Sequence, residues 1–293
     1  MPTMTQAEAT QLFREAPHRF IDVGEGHAAL RTVGAGPDVL FVHGWPLHGA
    51  TFRKLLPHLS DHVTCHVIDF PGAGSSRFDE STTLSIDQHI ETVRRVIDAL
   101  GVADLAVVGH DSGGLIVRHA VVGDARVRSM GLIDTEQPGR MSWRFGAFVF
   151  GRHVPGFGRA LGWVAGRPRL RRLKFVFGDA FVDRSLLDGE FDEFFLAPLH
   201  DDPVRLDATM RIFSSFEPRF VHELGDIHAR IDVPVQLVWG AQDPFFPVER
   251  ARSMVDTFPT AALTVIEGAS VFSEEERPAA VAAALLPVLT GSA

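Results

Sequence analysis

The pattern that most constrains this chain is an alternation of short, apolar, β-branched runs with longer helical periods. Strands that alternate with helices form βαβ units, and such units build a mostly parallel sheet. Several of the runs are apolar throughout, as expected of strands that helices cover on both faces. We therefore predict an α/β fold. Its strands are expected at Ala28–Val33, Val39–Val42, Val63–Asp69, Leu105–Gly109, Val127–Ile133, Val235–Trp239 and Leu263–Ile266. Helices are expected over the N-terminal segment and at Ala50–His58, Ser85–Leu100, Gly114–Val122, Val248–Thr257 and Pro278–Leu289.

The alternation stops between Pro138 and about Arg230, where no β-type run occurs. This segment is rich in Phe, Trp, Arg and Gly, and we interpret it as a helical insertion over the sheet. The predicted domains are a core formed by residues 1–137 and 231–293 and a helical cap formed by residues 138–230.

Composition excludes several classes of protein and site. The net charge of −9 argues against nucleic acid, which needs a basic surface. The N-terminus lacks a secretory signal and the most apolar stretch is interrupted by charges, so no membrane span and a cytoplasmic location are expected. The single cysteine, Cys65, excludes an intrachain disulfide. With His58, His62 and His66 it would suit zinc only on one continuous helix, whereas a strand is predicted there, so no metal or cofactor is expected.

The strand Leu105–Gly109 leads into a glycine-rich turn, GHDSGG, at residues 109–114. A turn that exposes a nucleophile between strand and helix needs small residues two positions before and two after it. Gly109 and Gly113 meet this requirement around Asp111, whereas centring the motif on Ser112 would place the bulky His110 at a flank. Asp111 is the predicted nucleophile.

Two other strand ends supply candidate partners. The strand Val39–Val42 ends in HGWP, so the backbone N–H groups of Trp45 and Ser112 are predicted to form an oxyanion hole. The side chain of His43 is assigned a structural hydrogen bond or a substrate contact. Asp243 follows the strand Val235–Trp239, at a position suited to an acid that orients a catalytic histidine.

Together these motifs resemble the α/β-hydrolase fold over nearly the whole chain. The matching segments are HGWP at 43–46, DFPGAGSS at 69–76, GHDSGG at 109–114 and WGAQDP at 239–244. Aspartate at the elbow resembles the epoxide hydrolases and haloalkane dehalogenases. The resemblance implies that a carboxylate attacks carbon to form an alkyl-enzyme ester, which a histidine-activated water then hydrolyses.

The chain departs from this family at the histidine. The stretch that would carry it, EGASVFSEEERP at 267–278, has Val271 at the histidine position, and all 14 histidines lie at or before His228. A base that activates water accelerates hydrolysis about 10²–10⁴-fold. Without one, an ester on Asp111 is expected to persist.

The residues that stabilise the leaving group in these related enzymes are also missing from their usual positions. Epoxide hydrolases use cap tyrosines as proton donors, and this chain contains no tyrosine. Haloalkane dehalogenases place Trp after the nucleophile and fluoroacetate dehalogenases place Arg there, whereas this chain has Ser112.

Two hypotheses follow. The first is an enzyme that acts on a small lipophilic molecule through Asp111, either by altered hydrolase chemistry or as a lyase or isomerase in which Asp111 moves a proton. The second is a binding protein on a disabled hydrolase fold, an arrangement that plant gibberellin receptors resemble. The oligomeric state is open, a homodimer included. The candidate substrate-contacting residues are His43, Trp45, His110, Trp143, Phe148, Trp163, Phe245 and Val271.

Overall fold

The computed structural model describes residues 3–291 and contains one eight-stranded sheet. The strands lie in the order β1-β2-β4-β3-β5-β6-β7-β8. Only β1 and β2 run antiparallel to their neighbours, and from β4 to β8 every pairing is parallel. The mostly parallel sheet predicted from the alternation is confirmed. The strands are β1 Arg19–Asp22, β2 His27–Gly34, β3 Asp38–Val42, β4 Thr64–Asp69, β5 Leu105–His110, β6 Val127–Ile133, β7 Val235–Gly240 and β8 Ala261–Ile266.

Fourteen α-helices surround the sheet in the described residues. They are α1 Gln6–Arg14, α2 Leu56–Leu59, α3 Ile86–Leu100, α4 Ser112–Val121, α5 Trp143–Phe150, α6 Phe157–Ala165, α7 Pro168–Arg171, α8 Ala197–Asp201, α9 Pro203–Ser214, α10 Arg219–His222, α11 Leu224–His228, α12 Val248–Val255, α13 Ser273–Glu276 and α14 Pro278–Thr290. Short 3₁₀ turns span Gly49–Phe52, Gly151–His153 and Arg184–Leu187, and a π-helical turn spans Asp192–Leu196. Between residues 3 and 291 there is no helix whose length and hydrophobicity would let it cross a membrane.

Local sequence explains where the longest helix begins and ends. The Ser85 hydroxyl accepts a hydrogen bond from the Gln88 N–H at 3.1 Å, which caps the first turn of α3. Gly101 ends the helix with φ 67°, a left-handed conformation that glycine adopts without steric cost.

Two local predictions were incomplete. The strand β1 was not predicted, because it is a short edge strand with only one fully buried position, and so it lacks an apolar run. The helix expected at Ala50–His58 is divided into the 3₁₀ turn Gly49–Phe52 and the short α2.

The described elements between β6 and β7 are all helical, as expected for an insertion into the alternation. The domain boundaries at residues 138 and 230 remain a prediction.

The topology determines where the site can form. The strands β3, β5, β6, β7 and β8 are parallel neighbours, so their carboxyl ends meet at one edge of the sheet. In parallel α/β sheets, ligands bind in the crevice at this edge. The segments that contain Trp45, Asp111, Glu136, Asp243 and Val271 all leave strands there.

Candidate active site

Asp111 occupies the turn between β5 and α4, with φ 52° and ψ −134°. A non-glycine residue in such a conformation costs about 1–3 kcal/mol, so the surrounding structure must enforce it. Gly109 and Gly113 contribute to this, because without side chains they let neighbouring backbone atoms pack closely around the turn. A Cβ atom on Gly109 would lie 2.5 Å from the Gly114 Cα atom, and one on Gly113 would lie 2.3 Å from the Val42 carbonyl oxygen. The turn therefore requires glycine two positions before and two positions after Asp111.

Two backbone amides converge on one oxygen of the Asp111 carboxyl. Its Oδ1 atom accepts hydrogen bonds from the Ser112 N–H at 2.5 Å and from the Trp45 N–H at 3.1 Å. The Trp45 N–H also lies 3.0 Å from the Ser112 hydroxyl oxygen. No hydrogen bond from residues 3–291 reaches Oδ2. The carboxyl is thus held by one oxygen while the other is free to react.

The Asp111 carboxyl opens onto a cavity of about 270 Å³, which we call the Asp111 cavity. Its polar side chains among the described residues are Asp111, Ser112 and Glu136. Most of the remaining surface is aromatic or aliphatic, which suits a small lipophilic ligand. The aromatic residues that line it are Trp45, Phe145, Phe148, Phe157, Phe175, Phe177, Phe213, Phe216, Phe245, Phe246 and Phe272.

Burial raises the pKa of Asp111 above its usual value. The hydrogen bonds from Ser112 and Trp45 act in the opposite direction, because each of them favours the ionised carboxylate. The amides that hold Oδ1 therefore also help to keep the carboxyl ionised in an apolar cavity.

Val271 lines the Asp111 cavity beside Phe272, so an aliphatic side chain occupies the place where the resemblance implies an imidazole. Asp243 is buried nearby. Its Oδ1 atom accepts from the Phe245 and Phe246 N–H groups, whereas Oδ2 has no partner in the described residues. Burial raises the pKa of Asp243 well above its usual value, and the negative charge of Asp111 raises it further.

The structure places His110 behind the site rather than in the cavity, contrary to its assignment as a substrate contact. Its ring is fully buried, and Nε2 donates to the Val271 carbonyl at 2.8 Å. Nδ1 lies 3.4 Å from the Glu274 carboxyl. Burial lowers the pKa of His110, which disfavours protonation. These contacts connect the segment after β8 to the turn that contains Asp111.

His43 has a structural role in the loop after β3. Its Nδ1 atom donates to the Gly44 carbonyl at 2.9 Å, and its Nε2 atom accepts from the Phe70 N–H at 3.1 Å. Burial lowers its pKa to about 4. The ring borders a second cavity of about 300 Å³, adjacent to the first. No histidine is among the described residues that line the Asp111 cavity.

Of the remaining predicted contacts, the structure brings Trp45, Phe148 and Phe245 to the Asp111 cavity, but not Trp143 or Trp163. Trp143 is 72% exposed and Trp163 is 50% exposed. Both lie on solvent-facing sides of helices between β6 and β7, an orientation that aromatic content alone does not reveal.

Glu136 is a residue of this cavity that the sequence motifs do not single out. It follows β6, and it is only 2% exposed. The available signal was the acidic pair Asp134 and Glu136 directly after the predicted strand Val127–Ile133. That strand ends at the same edge as the strand that precedes Asp111.

Thr135 connects Glu136 to the turn that contains Asp111. Its hydroxyl oxygen lies 2.7 Å from the Asp111 carbonyl oxygen and 3.1 Å from Glu136 Oε2, and it accepts a bond from Arg118 at 2.8 Å. A hydroxyl has one proton to donate. When that proton is directed to the nearer Asp111 carbonyl, the contact with Glu136 is a hydrogen bond only if Glu136 is protonated.

Electrostatics favours the same protonation state. Burial raises the pKa of Glu136 to about 8, and the negative charge of Asp111 adds to the increase. The buried Arg118 opposes it. Two carboxyl groups that share a low-dielectric cavity do not both ionise readily at neutral pH. Burial and the negative charge of Asp111 thus favour the protonated form of Glu136, while the two amide hydrogen bonds favour the ionised form of Asp111.

Comparison with known proteins agrees with this architecture. The sequence model of a family described as α/β-hydrolase fold matches residues 37–278. An uncharacterized hydrolase of Bacillus subtilis is 24% identical over 242 residues, which cover 81% of this chain and 84% of that protein. A pimeloyl-[acyl-carrier protein] methyl ester esterase of Chromobacterium violaceum is 27% identical over 256 residues, covering 80% and 87% of the two chains.

Solved structures show the same fold. An epoxide hydrolase superposes with a TM-score of 0.79 at 17% identity, covering 95% of this chain and 100% of that one. A loop variant of a haloalkane dehalogenase from Bradyrhizobium elkanii superposes with a TM-score of 0.74 at 20% identity, covering 93% and 96%. The fold predicted from the sequence motifs is confirmed.

Proposed function

The chain belongs to the α/β-hydrolase fold family, and from this we propose that it is an enzyme that forms an ester between Asp111 and a carbon atom of a small lipophilic substrate. The observation that carries the proposal is the Asp111 turn, in which two amides hold Oδ1, no hydrogen bond from the described residues reaches Oδ2, and the residue lines a mostly apolar cavity. Residues 138–230 act as the cap that supplies much of the aromatic lining.

The chemistry follows from the carboxylate. Attack of Oδ2 on an alkyl carbon gives an ester whose carbonyl oxygen, Oδ1, already lies between the Trp45 and Ser112 N–H groups. These donors can stabilise negative charge when water later attacks the ester carbonyl. A carboxylate that attacked an ester substrate at its carbonyl would instead form a reactive anhydride. The methyl esterase activity named for the relative is therefore not carried over to this chain.

A second candidate is a ligand-binding protein on a disabled hydrolase fold. It is favoured by the absence of histidine from the described lining and by Val271, which continues the apolar wall. Against it stands the ionisable Asp111, because burying a carboxylate in an apolar cavity costs free energy that a pure binding site avoids by losing the group.

The test is intact-protein mass spectrometry after incubation with alkyl iodides, epoxides and activated esters, followed by peptide mapping. We expect an alkyl adduct on Asp111 from at least one alkylating substrate. Asp111→Asn should abolish it, while Asp207→Asn, at an exposed aspartate of α9, should leave it unchanged. Saturable ligand binding that survives Asp111→Asn, with neither adduct nor product, would favour the binding protein instead.

A further inference from the structure

We propose that Glu136 is the proton-transfer residue of this site, donating a proton to an oxygen leaving group and later accepting one from water. The proposal rests on the proposed function of Asp111 and adds the group that serves in place of both the missing tyrosine and the missing histidine. It is carried by position, since Glu136 and Asp111 line one cavity and both contact the Thr135 hydroxyl.

The choice of an oxygen leaving group follows from the donors that are available. N–H donors assist the release of a halide, and none of the four indoles can supply one in the Asp111 cavity. The Trp45 Nε1–H donates to the Thr209 carbonyl at 2.8 Å, and the Trp239 Nε1–H donates to the Phe246 carbonyl at 2.6 Å. Trp143 and Trp163 are exposed and lie outside the lining.

A protonated carboxyl is suited to a different leaving group. An alkoxide is a poor leaving group unless it is protonated as the carbon–oxygen bond breaks, and the acid proton of Glu136 meets that need. An epoxide fits this requirement, because its ring oxygen stays attached to the substrate and takes the proton. The site is therefore assigned to epoxides rather than to haloalkanes.

The first step balances without an external acid. Oδ2 of the Asp111 carboxylate forms a bond to an epoxide carbon, the carbon–oxygen bond of the ring breaks, and the ring oxygen takes the proton of Glu136. The products are a hydroxyalkyl ester on Asp111 and a Glu136 carboxylate.

The second step uses that carboxylate. Glu136 takes a proton from a water molecule as the water oxygen attacks Cγ of the Asp111 ester, and the charge on Oδ1 is held by the Trp45 and Ser112 N–H groups. Collapse of the intermediate expels the substrate alkoxide, which takes the proton of the newly formed Asp111 carboxylic acid. The net reaction is epoxide plus water to diol, and both carboxyl groups return to their starting states.

The charged neighbours of Glu136 allow this cycle at neutral pH. Asp111 raises the pKa of Glu136, and Arg118, on α4, lowers it. Arg140 and Arg250 border a small cavity on which Glu136 also lies. With a resulting pKa of about 8, Glu136 is mostly protonated at pH 7 and lies close enough to that pH to act in both directions.

The experiment follows the rate of adduct formation on Asp111 with two probes, styrene oxide, which needs a proton, and iodohexane, which does not. In Glu136→Gln we expect the rate with styrene oxide to fall about 10²–10⁴-fold, while the rate with iodohexane changes only a few-fold. The wild-type rate with styrene oxide should decline above about pH 8, and the variant should lack this decline.

Glu274→Gln is the matched control, because Glu274 is a fully buried carboxyl with a raised pKa that does not line the Asp111 cavity. It should leave both rates within a few-fold of wild type. Equal loss with both probes in Glu136→Gln would show a structural role, and an unchanged rate with styrene oxide would also overturn the proposal. Absence of both an Asp111 adduct and product with both probes in the wild type would refute the proposed function itself, whereas reaction with iodohexane alone would refute only the role of Glu136.

Discussion

At the scale of single residues, the site contains an acid without the partner for which its position is suited. Asp243 Oδ2 is buried with no hydrogen-bond partner in the part of the chain that the structure describes. A buried unsatisfied carboxyl oxygen costs about 1–3 kcal/mol, more if it is charged. The raised pKa of Asp243, caused mainly by burial, lessens this cost because the neutral acid is easier to bury.

Restoring an imidazole should therefore restore a second route for ester hydrolysis. In Glu136→Gln, where the iodohexane adduct on Asp111 is expected to persist, adding Val271→His should shorten the adduct lifetime about 10²–10⁴-fold. The physical reason is that Asp243 could orient a histidine at this position, and the imidazole could then activate water for attack on the Asp111 ester. The lifetime is measured by mass spectrometry after removal of excess reagent.

Val271→Asn is the control for this experiment, since it adds a polar side chain without a base. In the double variant Glu136→Gln/Val271→Asn, the adduct on Asp111 should persist as long as in Glu136→Gln alone. If Val271→His gave the same lifetime as Val271→Asn, then residue 271 and Asp243 would not form a working relay.

At the scale of secondary-structure elements, Arg53 connects three parts of the chain that are distant in sequence. It follows the 3₁₀ turn Gly49–Phe52, and its guanidinium bonds to Glu275 on α13 and, at 2.8 Å, to Glu190 of the inserted segment. The side chains of Arg53 and Glu275 are both buried, and Lys54 is a second, partly exposed partner of Glu275 at 3.0 Å. This connection joins α13, which begins two residues after Val271, to the loop after β3 and to Glu190.

Removing one member of this buried pair should be costly. Arg53→Leu leaves the Glu275 carboxylate without its main partner, so we expect a loss of about 3–5 kcal/mol in the free energy of unfolding, measured by urea denaturation. Arg95→Gln serves as the comparison, because its pair with Glu91 on α3 is exposed and should contribute less than about 1 kcal/mol. Similar losses in both variants would mean that the Arg53 pair is no more important than a surface contact.

At the scale of the whole molecule, gathering carboxyl groups at one edge of the sheet makes stability depend on pH. Burial raises the pKa values of Asp134, Glu136, Asp243 and Glu274. An acid with a raised pKa in the folded state contributes stability that is present below its unfolded pKa and is lost as the pH rises toward its folded pKa. Buried histidines such as His43 have lowered pKa values, so they affect the free energy of unfolding only below about pH 6.5.

The free energy of unfolding should therefore decrease between pH 7 and 8, because the unfolded chain has already lost the Glu136 proton in this range, whereas the folded chain, in which Glu136 has a pKa of about 8, still holds much of it. Glu136→Gln should show a smaller decrease over the same range, because it cannot release this proton. Urea unfolding at several pH values measures both slopes. Parallel slopes for the two proteins would mean that Glu136 is already ionised at pH 7.

Predictability from sequence also depends on scale. The alternation of strands and helices is a local pattern, and most of the parallel sheet follows from it. The need for Gly109 and Gly113 around Asp111 is likewise local, because it is a matter of steric fit within one tight turn. The aspartate at the elbow and the valine at position 271 could be located by the same motif spacing.

What only the tertiary structure decided is which polar atoms are free. The Trp45 indole is occupied by the carbonyl of Thr209, and the His110 ring by that of Val271, and both pairs join residues far apart in the sequence. The presence of Glu136 beside Asp111 depends on the pairing of β5 with β6, and its raised pKa depends on burial that no local pattern encodes. The sequence by itself determined the fold and the turn that presents Asp111, since short-range sterics and periodicity govern both. The neighbours and protonation states of that carboxyl were decided by long-range packing, because solvent exclusion and hydrogen-bond partners exist only once the chain has folded.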